Sequence, residues 1–86
     1  MSFIRGTATR TATRTYTPGA ILTRSTPLYL TTVNDKEDIW FEPHQTFTVI
    51  DCRPHEQDNL AWWVTAVISG LGVRTCLVYI GDFSPA

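Results

Sequence analysis

The residues best suited to chemistry cluster in "DCRPHE", where Cys52 and His55 stand three positions apart. A thiol with an imidazole in reach suggests a nucleophile and its base, and adding His44 or Cys76 would give a set of metal ligands. Both readings need a pattern that the chain lacks. It has no paired C-x-x-C, no H-E-x-x-H, and no third group placed to orient a base. No glycine-rich loop follows a strand and opens a helix, so nucleotide phosphates have no cradle. Loop polarity for His55 and core packing for the cysteines account for these residues more simply. The expectation is a chain that is not an enzyme, with no catalytic residues, no metal and no cofactor.

The charges are more informative than the formal net value of -1. Arg5, Arg10, Arg14 and Arg24 precede the first acidic residue, Asp35, whereas Lys36, Arg53 and Arg74 face all eight carboxylates after it. A basic arm thus leads an acidic body. Within "RGTATRTATRTYTPG", Thr occupies every odd position from Thr7 to Thr17, and Ala8, Arg10, Ala12, Arg14 and Tyr16 fill the even ones. A strict period of two built on a β-branched residue favours extended chain. With few large apolar side chains, such a segment is either an unstructured polar tail or an arm that orders on a partner. Ordering would come from adding a strand to a sheet edge or from laying arginines on an anionic surface. Pro18-Gly19 marks a turn that divides an arm of residues 1–19 from a body of residues 20–86. Arg5, Arg10, Arg14 and Tyr16 are the arm's candidate contacts.

The elements of the body are short strand-like runs divided by breakers. Eighty-six residues, 43% of them apolar, suffice for one core. The runs are "AILTR" (20–24), "PLYLTTV" (27–33), "IWFE" (39–42), "TFTVIDC" (46–52), "AWWVTAVIS" (61–69) and "TCLVYI" (75–80). No convincing amphipathic helix interrupts them, so the expected fold class is all-β, a small barrel of five or six strands. Two cysteines are too few for a disulfide framework, and "MSFIRG" lacks the apolar stretch of a signal peptide. The apolar run 60–73 is broken by Thr65, Ser69 and two glycines and is too short to span a membrane. Cytoplasmic synthesis without membrane insertion is expected.

Four stretches in order resemble the SH3 family. "PLYL" resembles the opening strand, "NDKED" the acidic RT loop, "DIWFEPHQTFTVID" the diverging turn with the strand after it, and "WW" the paired tryptophans of the next strand. The resemblance covers about residues 20–83 and implies an SH3-like barrel. It also implies a proline-peptide groove keeping Tyr29 and Trp62, with Asp35, Glu37 and Asp38 nearby for a basic peptide residue. Three departures weigh against that groove: Thr31 replaces the second tyrosine of the opening motif, the Pro-Ser-Asn-Tyr segment is absent, and His44 replaces the turn glycine.

Strand alternation separates Trp62 from Trp63, so they face opposite ways. The run 61–68 is apolar on both parities, with Trp62, Val64, Ala66 and Ile68 against Ala61, Trp63 and Val67. One interior cannot hold both sets, so one should be exposed for a partner or covered by the chain's own segment, such as "GAILTR". Tyr29, Trp40, Trp62, Trp63 and Tyr79 are the candidate partner-binding residues, being the types that most often anchor an interface.

The function expected is therefore a non-enzymatic protein-binding module docking on a larger oligomeric assembly, similar in build to phage capsid decoration and accessory virion proteins. Removing residues 1–17 is expected to leave the body folded while weakening docking. The alternatives are an adaptor for proline-rich peptides, a small inhibitor of a partner enzyme, and a nucleic-acid-binding barrel acting through the arm. The acidic body weighs against the last of these.

Overall fold

The computed structural model describes residues 15–33 and 38–86, so Arg5, Arg10, Arg14, Asp35 and Glu37 lie outside the described residues. Among these residues the chain is all-β, with strands β1 Ile21–Thr23, β2 Leu28–Thr31, β3 Asp38–Phe41, β4 Phe47–Pro54, β5 Ala61–Ile68, β6 Gly72–Tyr79 and β7 Ser84–Pro85. They form a five-stranded sheet ordered β6-β5-β4-β1-β7 and a two-stranded sheet of β2 and β3. The pairs within both are antiparallel. The arrangement is two sheets, not the closed barrel of five or six strands expected from the runs. The bridge between them is a single pair, Thr32 with Cys76, supported by the Val33 amide donating to the Thr75 carbonyl at 3.0 Å.

Alternation chooses the interior. The even residues of β5, Trp62, Val64, Ala66 and Ile68, are all buried, and Cys76 and Val78 of β6 join them. In β4 the parity has to change partway, because Phe47 and Val49 face inward on odd numbers and would carry Asp51 and Arg53 after them. A bulge between Val49 and Asp51 corrects this by inserting Ile50, which restores register as Cys52 opposite Val64. The charged side chains stay outside, and Ile50 is left 47% exposed.

Three phenylalanines close one end of the core. Phe83 stacks on Phe47 at 4.7 Å between centroids and meets Phe41 edge-on at 5.2 Å, so it joins the hairpin β2–β3 to the large sheet. The Arg24 guanidinium lies over the outer side of Phe83 and donates to the Asp82 carbonyl at 3.0 Å. Strand β7, which follows at once, is invisible to alternation because it has two residues, one of them proline. It is placed by its register with Leu22 and Thr23 of β1.

His44 sits in a tight turn at φ 68°, a left-handed backbone that glycine adopts without cost. The position that the SH3 resemblance gives to glycine therefore keeps a glycine-like backbone with a histidine on it. Replacing His44 by Gly should raise stability by up to about 1 kcal/mol, read as a higher urea midpoint at unchanged slope. The same turn is tied to the β5–β6 turn by Gln45, whose side chain accepts from the Glu42 amide and donates to the Ser69 carbonyl.

Candidate docking surfaces

The part of the arm nearest the body belongs to the body. Tyr16 is 1% exposed and its hydroxyl donates to the Tyr79 carbonyl at 2.8 Å. The Gly19 amide donates to the Val49 carbonyl at 2.7 Å, which pins the turn to β4. Tyr16 is thus a core residue and not an arm contact, and the boundary drawn at residue 19 belongs before Tyr16. The cause is the one large side chain of the repeat, which can bury an aromatic ring where the arginines on the same parity cannot.

Trp62 is buried as well, at 4% exposure, so it does not wall a surface groove as the SH3 resemblance implies. It shares a cavity of about 130 Å³ with Tyr16, Thr17, Pro18, Asp51 and Cys52, so the residues before the first strand close over the face it occupies. Its indole Nε1 has no hydrogen-bond partner among the described residues. The covering segment anticipated for the other apolar face, "GAILTR", does not close it: Leu22 of that segment is buried in the same core as Trp62 and Tyr16, and Val67 stays exposed. An adaptor using Tyr29 with Trp62 loses one of its two walls by this burial.

Cys52 is kept as a neutral thiol, and His55 is used to build its loop. Burial, with Asp51 alongside, pushes the Cys52 thiol up to about 11, so the thiolate is scarce at neutral pH. His55 Nδ1 accepts from the amides of Gln57 and Asp58, which builds the loop, and its ring stacks on Trp63 at 5.6 Å. Burial likewise raises the Cys76 thiol to about 11, the nearby Arg74 opposing it. Thiols kept neutral in the fold but free to ionise when unfolded stabilise it below pH 9, and that contribution fades as pH rises through about 11. Cys76, fully buried, should lose on the order of 2 kcal/mol this way. Urea titrations across that range should show a parent falling faster than its Cys52→Ala/Cys76→Ala variant; parallel curves would contradict it.

Two apolar surfaces remain outside. The first crosses the outer face of the large sheet in register: Ile21 of β1 is opposite Thr48, Thr48 opposite Val67, and Val67 opposite Val73. Ile21, Val67 and Val73 are all exposed, Val73 by 56%. Toward the far end come Arg53, Trp63 and Leu77 in one row, with Trp63 and Leu77 half-buried, and then Tyr79, which is exposed. Between these rows Thr65 and Thr75 share a hydrogen bond at 2.8 Å between hydroxyls. This face lacks charge along Ile21–Thr48–Val67–Val73 and is therefore suited to bury against another protein.

The second surface is the outer side of the hairpin. Tyr29 and Trp40 are cross-strand partners with centroids 4.6 Å apart in edge-to-face contact, and they are 63% and 40% exposed. Asp38 and Glu42 lie two residues to either side of Trp40, and both are exposed. Asp38 accepts from the Thr31 hydroxyl at 3.0 Å.

Of the five aromatic candidates, then, Tyr29 and Trp40 come together, Trp63 and Tyr79 share the outer face of the large sheet, and Trp62 drops into the core. Ile21, Ile50 and Val73 were missed as surface residues. For Ile21 and Val73 the signal was parity, while Ile50 depends on a bulge that alternation does not announce. Compared with protein-family models, with curated proteins and with solved structures, the chain matches none of them.

Proposed function

We propose that this protein is a non-enzymatic docking module that binds a larger protein assembly through the outer face of its large sheet. The observation carrying this reading is the row Ile21–Thr48–Val67–Val73, an uncharged strip across four strands that would be wasteful to leave in water. Covering part of it with a partner removes apolar area from water at roughly 25 cal/mol per Å². The neutral thiol of Cys52 and the structural use of His55 fit a role without catalysis.

The finer reading is a small SH3-like body serving as a capsid decoration or accessory virion protein. It is supported by build alone: a small antiparallel body preceded by a Thr/Arg repeat long enough to reach a neighbouring subunit. Such a protein adds interface area across subunit boundaries.

The test is gradient sedimentation of native extract containing the tagged full chain. The parent should travel with a high-mass particle, and Val67→Lys/Val73→Asp should release it to the top of the gradient while its circular dichroism stays unchanged. A doubly charged variant that remains on the particle would refute docking through this face.

A further inference from the structure

We infer that the outer side of the β2–β3 hairpin is a receptor for the arginine-bearing segment, residues 10–14, of a second copy of this chain. The inference rests on the docking reading only in taking the Thr/Arg repeat as the part that reaches outward, and it concerns a different surface.

Register carries the argument. Asp38, Trp40 and Glu42 occupy alternate positions on the outward side of β3 and its continuation, with the two carboxylates four residues apart. Arg10, Ala12 and Arg14 occupy alternate positions of one parity in the repeat, with the two guanidinium groups also four residues apart. At about 3.3 Å per residue both spacings are about 13 Å, so an extended repeat laid along β3 sets each arginine against one carboxylate. The small Ala12 then falls opposite Trp40, leaving its ring and that of Tyr29 open to the flanking guanidinium groups and their methylene stems. β3 is the outer strand of its sheet, with β2 on one side and no strand on the other among the described residues. The added segment therefore has a backbone edge to pair with as well as side chains to meet.

Charge and chain length select a copy of this chain as the occupant. The hairpin face carries Asp38 and Glu42 around exposed aromatic rings, and the repeat carries the complementary charge with no acidic residue of its own. In its own molecule Arg14 stands two residues from Tyr16, which is buried in the core with Leu30 and Phe41, on the inward side of the hairpin. Tyr29 and Trp40 face the other way. A second copy's segment approaches the outward side from solvent without this tether. The contact is head-to-tail, arm of one copy to hairpin of the next, and so can close into a ring or extend along a surface.

Sedimentation velocity on the purified full chain tests this through paired charge reversals. The parent should self-associate with concentration, and less so in high salt. Arg10→Glu/Arg14→Glu and Asp38→Lys/Glu42→Lys should each weaken self-association by about tenfold or more, both remaining folded by circular dichroism. Mixing the two variants should restore association, because the reversed arm of one then matches the reversed hairpin of the other. A parent that stays monomeric, reversals without effect, or a mixture that fails to recover would each overturn the inference. So would salt-sensitive protection of the Tyr29–Trp40 pair in a monomer, which would mean that the arm folds back on its own hairpin. Release from the high-mass particle by Val67→Lys/Val73→Asp reads the other surface, so either proposal can fail without the other.

Discussion

Replacing Tyr16 by Ala should destabilise the protein by about 3–5 kcal/mol, comparable with the whole folding stability of a domain this small. The ring is 1% exposed, lies in the same core as Trp62, Val64 and Val78, and borders the cavity beside Cys52. Its hydroxyl bond to the Tyr79 carbonyl is the smaller part, because the Asp82 amide also donates to that carbonyl at 3.1 Å. Tyr16→Phe should therefore cost only about 1 kcal/mol. Truncation gives the same answer. Removing residues 1–14 should leave thermal unfolding of the body nearly unchanged, whereas removing 1–17 should lower its midpoint sharply. The expectation that residues 1–17 are dispensable for folding thus gives way to a cut before Tyr16. Equal melting of the two truncations would show that the ring contributes nothing.

Phe83→Ala should cost a similar amount, about 3–5 kcal/mol, and should loosen one part of the molecule more than another. Phe83 touches Phe47 on the large sheet and Phe41 on the hairpin, while among the described residues direct strand pairing between the sheets is limited to Thr32 with Cys76. Removing it takes away much of what seats the hairpin. Amide hydrogen exchange should accelerate in β2 and β3 ahead of β5, whose two neighbouring strands hold it throughout its length. Phe83→Leu, which keeps most of the volume, should restore most of the protection. Uniform acceleration across all strands would place Phe83 in the general core instead. Because Tyr29 and Trp40 ride on this hairpin, its seating also decides how firmly their face is presented.

Much of the fold could be read from alternation. The runs 46–52 and 61–69 became β4 and β5 with boundaries shifted by at most two residues, and the opposite placement of Trp62 and Trp63 follows from the geometry of any strand. The shared side of Tyr29 and Trp40 was also within reach, since the runs 27–33 and 39–42 follow each other along the chain and alternation turns both away from Leu30 and Phe41, which are buried. What could not be read was which of two apolar faces is covered. That depends on a third element arriving from far along the chain, and Tyr16 meets Tyr79 across 63 positions.

By itself, then, the sequence determined the all-β class, the approximate strands, the separation of the two tryptophans and the contrast between a basic repeat and an acidic body. Each of these is local, fixed by side-chain period or by charge along the chain. Tertiary structure alone decided that Trp62 is core and the Ile21–Val67–Val73 row is surface, that Ile50 is turned out at a bulge, and that the sheets remain two instead of closing. Those outcomes depend on register between distant strands and on competition for a single interior, and no local pattern encodes the winner.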